Sequence, residues 1–278
     1  MKETLSKKEQ ALQRFAAHNG FLRCPVCGDD LSVMASGVCC GQKHSFDVAR
    51  KGYVNLFLGQ QKGLYDADLF RARQHVFRAG IFDPLVSLIA NWIREQNYHS
   101  PFVLDAGCGE GSFLVRLYEH LGEATFLGVD ISRDGIRQAA SHCEPIMWCV
   151  ADLANLPLAT GSTDVILNVL SPANYSEFKR VLRSGGRLIK VLPGEEYLQE
   201  IRQRLGGLAP YSNDEVVEKL EEKANVRRSS MLCYQVDVDL DLWQAMVQMT
   251  PLSQHRQVSG DLPTSVTIDL QIIEATLV

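Results

Sequence analysis

Two clusters of residues in this 278-residue chain carry chemistry. The first is Cys24-Pro-Val-Cys27 followed by Cys39-Cys40-Gly-Gln-Lys-His44. Two cysteines separated by two residues place both sulfurs on one side of a tight turn, which is half of a tetrahedral zinc site. Cys40 and His44 supply the other half, so Cys24, Cys27, Cys40 and His44 form a Cys₃His set with gaps of two, twelve and three residues. Cys39 is the alternative to Cys40; Cys40 is preferred because the Gly-Gln-Lys turn then leads directly to His44. Four protein ligands leave no open coordination position, so the metal is expected to be structural. Its binding would supply the folding energy that so short a Cys- and Gly-rich segment lacks.

The second cluster is Phe102-Val-Leu-Asp105-Ala-Gly107-Cys-Gly109-Glu-Gly111-Ser-Phe113. An apolar, β-branched run ends in an acid, three glycines alternate, and a helix opens. The glycines permit a tight turn and close approach of a ligand to the backbone. The strict alternation departs from the GxGxxG spacing of dinucleotide enzymes, and the Lys-Ser/Thr of a phosphate-binding P-loop is absent. An acid immediately before such glycines is typical of methyltransferases, near the amino-acid end of S-adenosylmethionine. Two further acids follow at strand ends. Asp130, in Leu127-Gly-Val-Asp130-Ile131, can accept from both ribose hydroxyls. Asp152 can accept from the adenine amino group, with Leu153 against the ring. Each acid alone reads as a helix cap, and Ser132 beside Asp130 is itself an N-cap candidate; three in register after successive strands point to an adenosyl cofactor.

A sulfonium-bound methyl is already activated, so the protein's task is to align a nucleophile with it. Positioning groups are sought after the fourth strand, in Asn168-Val-Leu-Ser171-Pro172-Ala-Asn174, with Asn168 also a candidate for the cofactor pocket. The Asn/Asp-Pro-Pro-aromatic segment of many amino-targeting methyltransferases is missing there, and no cysteine fits a covalent mechanism.

The elements that must hold these residues follow from periodicity. An amphipathic helix covers 4–18, a loop-and-hairpin module 21–47, a Gly-containing linker 48–65, and helices 67–79 and 83–97. From about 101, apolar strands at 102–106, 125–130, 146–150, 164–169 and 186–192 alternate with helices near 111–121, 133–142, 174–183 and 195–205. This is the pattern of βαβ units and a parallel sheet. Strands at 226–238 and 264–276 flank a helix at 239–248 and suggest an antiparallel closing hairpin. The expected architecture is an α/β class I (Rossmann-like) methyltransferase fold with an N-terminal zinc-binding module. Its segments are 1–62 (helix and zinc module), 63–98 (helical connector) and 99–278 (methyltransferase domain).

Composition is that of a globular protein, with 46% hydrophobic and 22% charged residues. No apolar run approaches the roughly 20 residues that cross a bilayer, and the charged N-terminus has no signal core, so a soluble, cytoplasmic protein is expected. Clustered cysteines without a secretory signal favour metal over disulfides; Cys108, Cys143, Cys149 and Cys233 read as small hydrophobes. The net charge of −5 is unlike a nucleic-acid binder. Yet residues 1–62 hold nine Lys/Arg against five Asp/Glu, and the remainder nineteen against twenty-eight. The basic head points weakly to an anionic partner.

Taken together, these strings resemble the ribosomal large-subunit RNA guanine-N1 methyltransferases. The resemblance joins Cys24-Pro-Val-Cys27, Cys40-Gly-Gln-Lys-His44-Ser-Phe46-Asp47 and Lys51-Gly-Tyr53-Val-Asn55-Leu56 to the glycine turn, Pro193-Gly194 and Gln248-Met-Thr-Pro251-Leu. It implies methylation at guanine N1 in a hairpin of 23S rRNA near the macrolide-binding exit tunnel, by a homodimer whose zinc modules help to grip RNA. Tyr65-Asp66-Ala-Asp68-Leu-Phe70 looks like the Gram-positive branch linked to tylosin-type resistance. By motif position Phe82, Phe113, Leu114 and Tyr197 would line the cofactor pocket. Guanine N1 carries a proton at neutral pH, so an acceptor is useful; Asp66, Asp68 and Asp152 are candidates, none selected by spacing. Lys43, Arg50, Lys51, Arg71 and Arg73 are candidate phosphate contacts. Two other readings remain: a small-molecule methyltransferase with a structural zinc module, which the acidic charge favours, and a non-enzymatic adaptor, against which the intact Asp105, glycines and Asp130 count.

Overall fold

A computed structural model describes residues 5–18, 20–60, 67–206, 209, 211–253 and 260–278. Helix α1 (Lys7–Ala17) opens with a capping box, Ser6 accepting from Glu9 N–H while Glu9 reaches back to the Ser6 N–H at 2.7 Å. A three-stranded antiparallel sheet follows: β1 (Leu31–Val33), β2 (Gly37–Cys40) and β3 (Ser45–Asp47). Next come β4 (Val54–Asn55), α2 (Ala67–Arg78) and α3 (Asp83–Arg94).

The βαβ core consists of β5 (Phe102–Ala106), α4 (Ser112–Leu121), β6 (Thr125–Asp130), α5 (Arg133–Ala139), β7 (Met147–Val150), β8 (Thr163–Val169), α6 (Tyr175–Val181) and β9 (Leu182–Pro193). The chain closes with α7 (Gln199–Arg204), α8 (Asp214–Glu221), β10 (Ala224–Asp237), α9 (Leu240–Met249) and β11 (Ser265–Leu277). The main sheet runs β10-β11-β9-β8-β5-β6-β7-β4, parallel from β9 to β4 and antiparallel across β10 and β11.

Strand pleating sorts alternate residues to two faces. Val103, Phe126, Val165 and Ile189 join a core with α2, α3, α4, α5 and α9, while Leu104, Leu127, Ile166 and Leu188 join another with α1, the zinc module and α6. Both faces are therefore covered, which explains why the central strands read as continuous apolar runs.

The sheet differs from the sequence reading at several points. Residues 48–65 were expected to be a linker, but Val54 and Asn55 pair in parallel with Cys149 and Val150 and make the sheet edge. Two residues carry no readable alternation, so the strand depends on β7 being there. β9 begins at Leu182, directly after α6, rather than at 186. The helix expected over 195–205 shortens to Gln199–Arg204, because Pro193-Gly194 and a turn closed by Tyr197 N–H to Gly194 O (3.1 Å) precede it. α8 was not foreseen. Among the described residues no single helix is long and apolar enough to cross a membrane.

Candidate functional site

Two backbone turns build the metal centre. Cys24 O accepts from Gly28 N–H at 2.9 Å, and Cys40 O accepts from Lys43 N–H at 2.9 Å, with Lys43 itself at φ 66°. These turns aim the ligand atoms of Cys24, Cys27, Cys40 and His44 at one point, all within 4.8 Å of one another. Cys27 Sγ lies 3.7 Å from Cys40 Sγ, and His44 Nδ1 lies 3.6 Å from Cys24 Sγ and 3.4 Å from Cys40 Sγ. A zinc tetrahedron with arms of about 2.0–2.3 Å has edges of about 3.5–3.8 Å, so the donor set fits the ion. Cys39 alternates to the other side of β2 and lies outside the cluster. Phe21 and Arg23 tie the module to the main domain through Ala159 N–H to Phe21 O (2.7 Å) and Arg23 N–H to Pro157 O (2.9 Å).

The second site is a cavity of about 860 Å³ at the carboxyl ends of β5, β6, β8 and β9, the side on which open α/β sheets bind ligands. Asp105 is buried on its floor, and its Oδ1 has no hydrogen-bond partner. Burial, then the nearby Asp130 and Glu110, push its carboxyl up to about 8. Burial likewise pushes Glu110 up to about 7, opposed by its hydrogen bond from Ser112. Asp130 accepts Gly109 N–H through Oδ2 at 2.8 Å and Ser132 N–H through Oδ1 at 2.7 Å; burial outweighs these bonds and raises its carboxyl too. Two buried acids, the half-buried Asp130 and an orphaned oxygen make a floor suited to a cationic ligand.

The turn itself leaves space for one. Gly107 sits at φ 91°, and a Cβ there would meet Ser171 Oγ at 2.4 Å. Ile131, Asp152, Leu153, Phe82, Phe113 and Tyr197 also line the cavity.

Comparison with known proteins accords with both sites. A family model described as "Methyltransferase domain" matches residues 103–186, and the zinc-ribbon model "RlmA, N-terminal" matches residues 22–63. A Bacillus subtilis protein described as a candidate 23S rRNA (guanine-N(1)-)-methyltransferase is 40% identical over 83% of this chain and 86% of its own. The 23S rRNA (guanine(748)-N(1))-methyltransferase of Streptomyces fradiae is 34% identical over 85% of this chain and 86% of its own. The chain belongs to the 23S rRNA (guanine-N1)-methyltransferase family. As a member of that family it is an S-adenosylmethionine-dependent methyltransferase with a zinc-ribbon module.

Several residues named from the sequence of this family member stand elsewhere than expected. Gly111 and Leu114 do not line the cavity. Gly111 begins α4 at φ 81°, where a Cβ would strike the Trp148 ring at 2.5 Å, and Leu114 is wholly buried in the core. Asn168 is also absent from the lining: its amide nitrogen faces Ala106 O at 3.0 Å, Ser171 Oγ at 2.6 Å and Pro172 O at 2.9 Å, beneath the loop. Asp68 is exposed on α2 and pairs with Arg71. Asp66 lies outside the described residues. Arg73, read as a phosphate contact, instead lines the cavity, its Nε donating to Met249 O at 3.2 Å. Lys43, Arg50 and Lys51 are exposed on or beside the zinc ribbon.

Sequence reasoning missed Glu110, Tyr175, Lys190 and Tyr211, all of which line the cavity. Lys190 had a visible signal, a single charge in the apolar run Leu188-Ile-Lys190-Val-Leu192. Tyr175, at the start of α6, and Tyr211, before α8, had none, because each reaches the cavity only through tertiary packing.

Proposed function

We propose that this chain methylates N1 of a guanine in a hairpin of 23S rRNA near the macrolide-binding exit tunnel. The observation that supports the reading is family membership: relatives described as 23S rRNA guanine-N1 methyltransferases match more than four-fifths of the chain, and separate family models match its zinc ribbon and its methyltransferase domain. In this reading Asp130 holds the cofactor's ribose and Asp152 with Leu153 its adenine. Asp105 faces its ammonium group and Arg73 the carboxylate, while Phe82, Phe113 and Tyr197 enclose it. The bound cofactor supplies an activated methyl group; the protein supplies alignment and exclusion of water.

The division of labour follows the three sequence segments. Residues 1–62 grip RNA through Lys43, Arg50 and Lys51, the 63–98 segment contributes Arg73, Phe77, Phe82 and Leu85 to the cavity lining, and residues 99–278 hold the cofactor. The functional unit is a homodimer acting in the cytoplasm, with tolerance of tylosin-type macrolides as its physiological readout.

The test is transfer of labelled methyl to purified 23S rRNA and to a synthetic hairpin, followed by fragment mass mapping. Label at guanine N1, with binding that weakens steeply as salt rises, supports the reading. Label on a small molecule and none on rRNA would replace it with the alternative of a small-molecule methyltransferase.

A further inference from the structure

Lys190 is 3% exposed, near the carboxyl end of β9, and is one of the residues lining the cavity. Its Nζ donates to Asn168 Oδ1 at 2.6 Å and to Ser171 O at 3.3 Å, both uncharged acceptors. Among the described residues no carboxylate pairs with it, and a buried ammonium without a counter-ion is costly. A neutral amine suits the place better. It has two N–H donors, both used here, and a lone pair left over for the cavity. Burial alone pushes its titration down to about 8. Asn168 fixes this arrangement: its amide nitrogen faces three oxygens, so its Oδ1 is turned to Lys190.

The cavity beyond the glycine turn suits a flat base. Tyr175, Tyr211 and Pro193 line the cavity together with Tyr197, which lies 6.3 Å from Tyr211 and is shared with the cofactor, and aromatic walls of this kind accept an unstacked purine. Burial raises all three phenols, so they stay neutral at working pH and compete neither as bases nor as counter-ions. The remaining charged groups of the lining are Lys219, Glu110, which accepts from Ser112 N–H and Oγ at 3.2 and 2.6 Å, and Asp105, Asp130, Asp152 and Arg73, which the reading above assigns to the cofactor.

We propose that Lys190 is a catalytic residue whose Nζ accepts the N1 proton of the target guanine, with Asn168 as its positioning residue. This rests on the guanine-N1 reading above. In the step the N1–H bond breaks and its proton passes to the Nζ lone pair. The N1 electron pair forms the bond to the methyl carbon, and the carbon–sulfur pair stays on sulfur. Lys190 becomes an ammonium, held by the same two acceptors, and releases its proton after product leaves.

The experiment compares wild type, Lys190→Arg and Lys190→Ala in single-turnover methylation of the hairpin at saturating cofactor between pH 6 and 10. Wild-type rate rises tenfold per pH unit and levels off near pH 8. Lys190→Arg, whose guanidinium does not deprotonate, loses about 10²–10⁴-fold in rate while cofactor affinity by calorimetry is kept. Lys190→Ala recovers rate when small primary amines are added. Independently of turnover, the ¹⁵N resonance of Lys190 Nζ in the full chain titrates near pH 8. Wild-type rate in Lys190→Arg, or a resonance that titrates only above pH 10, overturns the proposal. A wild-type protein that leaves guanine N1 unmethylated overturns the reading beneath it instead.

Discussion

The Asp130 carboxylate at the end of β6 accepts the Gly109 backbone N–H at 2.8 Å, locking the glycine turn to the neighbouring strand. One acid thus shapes the turn and faces the cavity that the turn creates. Asp130→Ala removes both roles. Cofactor affinity is expected to fall by about 1–3 kcal/mol, the scale of a lost hydrogen bond to a charged group. Titration calorimetry checks it, and wild-type affinity would contradict it.

Cofactor binding should expel a proton. Asp105, pushed up to about 8 by burial and the nearby acids, is largely protonated at pH 7. An ammonium placed beside it favours the ionised form and lowers it again. Binding therefore strengthens as pH rises toward 8 and weakens below, with release of up to about one proton near neutrality. Calorimetry in buffers of different ionisation enthalpy measures this release, and Asp105→Asn should reduce it, leaving only the share of Glu110 and Asp130.

The three glycines should separate by phenotype. At Gly107 a Cβ would strike Ser171 Oγ and intrude on the cavity wall, so Gly107→Ala should chiefly weaken cofactor binding. At Gly111 a Cβ would meet the fully buried Trp148 ring, so Gly111→Ala should chiefly cost stability, about 1–3 kcal/mol. Denaturant midpoints and cofactor titrations on both variants check the contrast. Equal loss of affinity in both would argue that Gly111 also touches the ligand.

Cys24→Ala should release zinc and lower the melting temperature, since three remaining donors hold the ion less tightly and the segment has little core of its own. Metal content by emission spectroscopy reads the first effect. Full zinc content in the variant would show that Cys24 is not a ligand.

The sequence announced the features that are local. Cys24, Cys27, Cys40 and His44 follow from two turns, and Asp105, Asp130 and Asp152 from strand ends, because backbone geometry over a few residues decides where those side chains point. It did not announce features that arise where distant elements meet. Arg73 reaches the cavity only because α2 packs against α9. Val54–Asn55 is a strand only because β7 offers its edge. Asn168 looked like a pocket residue by its place near the carboxyl end of β8, but the loop at Ser171–Pro172 folds over it and takes its hydrogen bonds. Gly111 belongs to the same motif as Gly107, yet its neighbour is a core tryptophan from another strand.

The account stands or falls on the methylated atom. Fragment mass mapping and reverse transcription of 23S rRNA should be run on cells carrying the gene, lacking it, or carrying Asp130→Ala. A single N1-methylguanine in a hairpin of the exit-tunnel region should be present in the first and lost in the other two. Identical modification maps in all three would contradict the account.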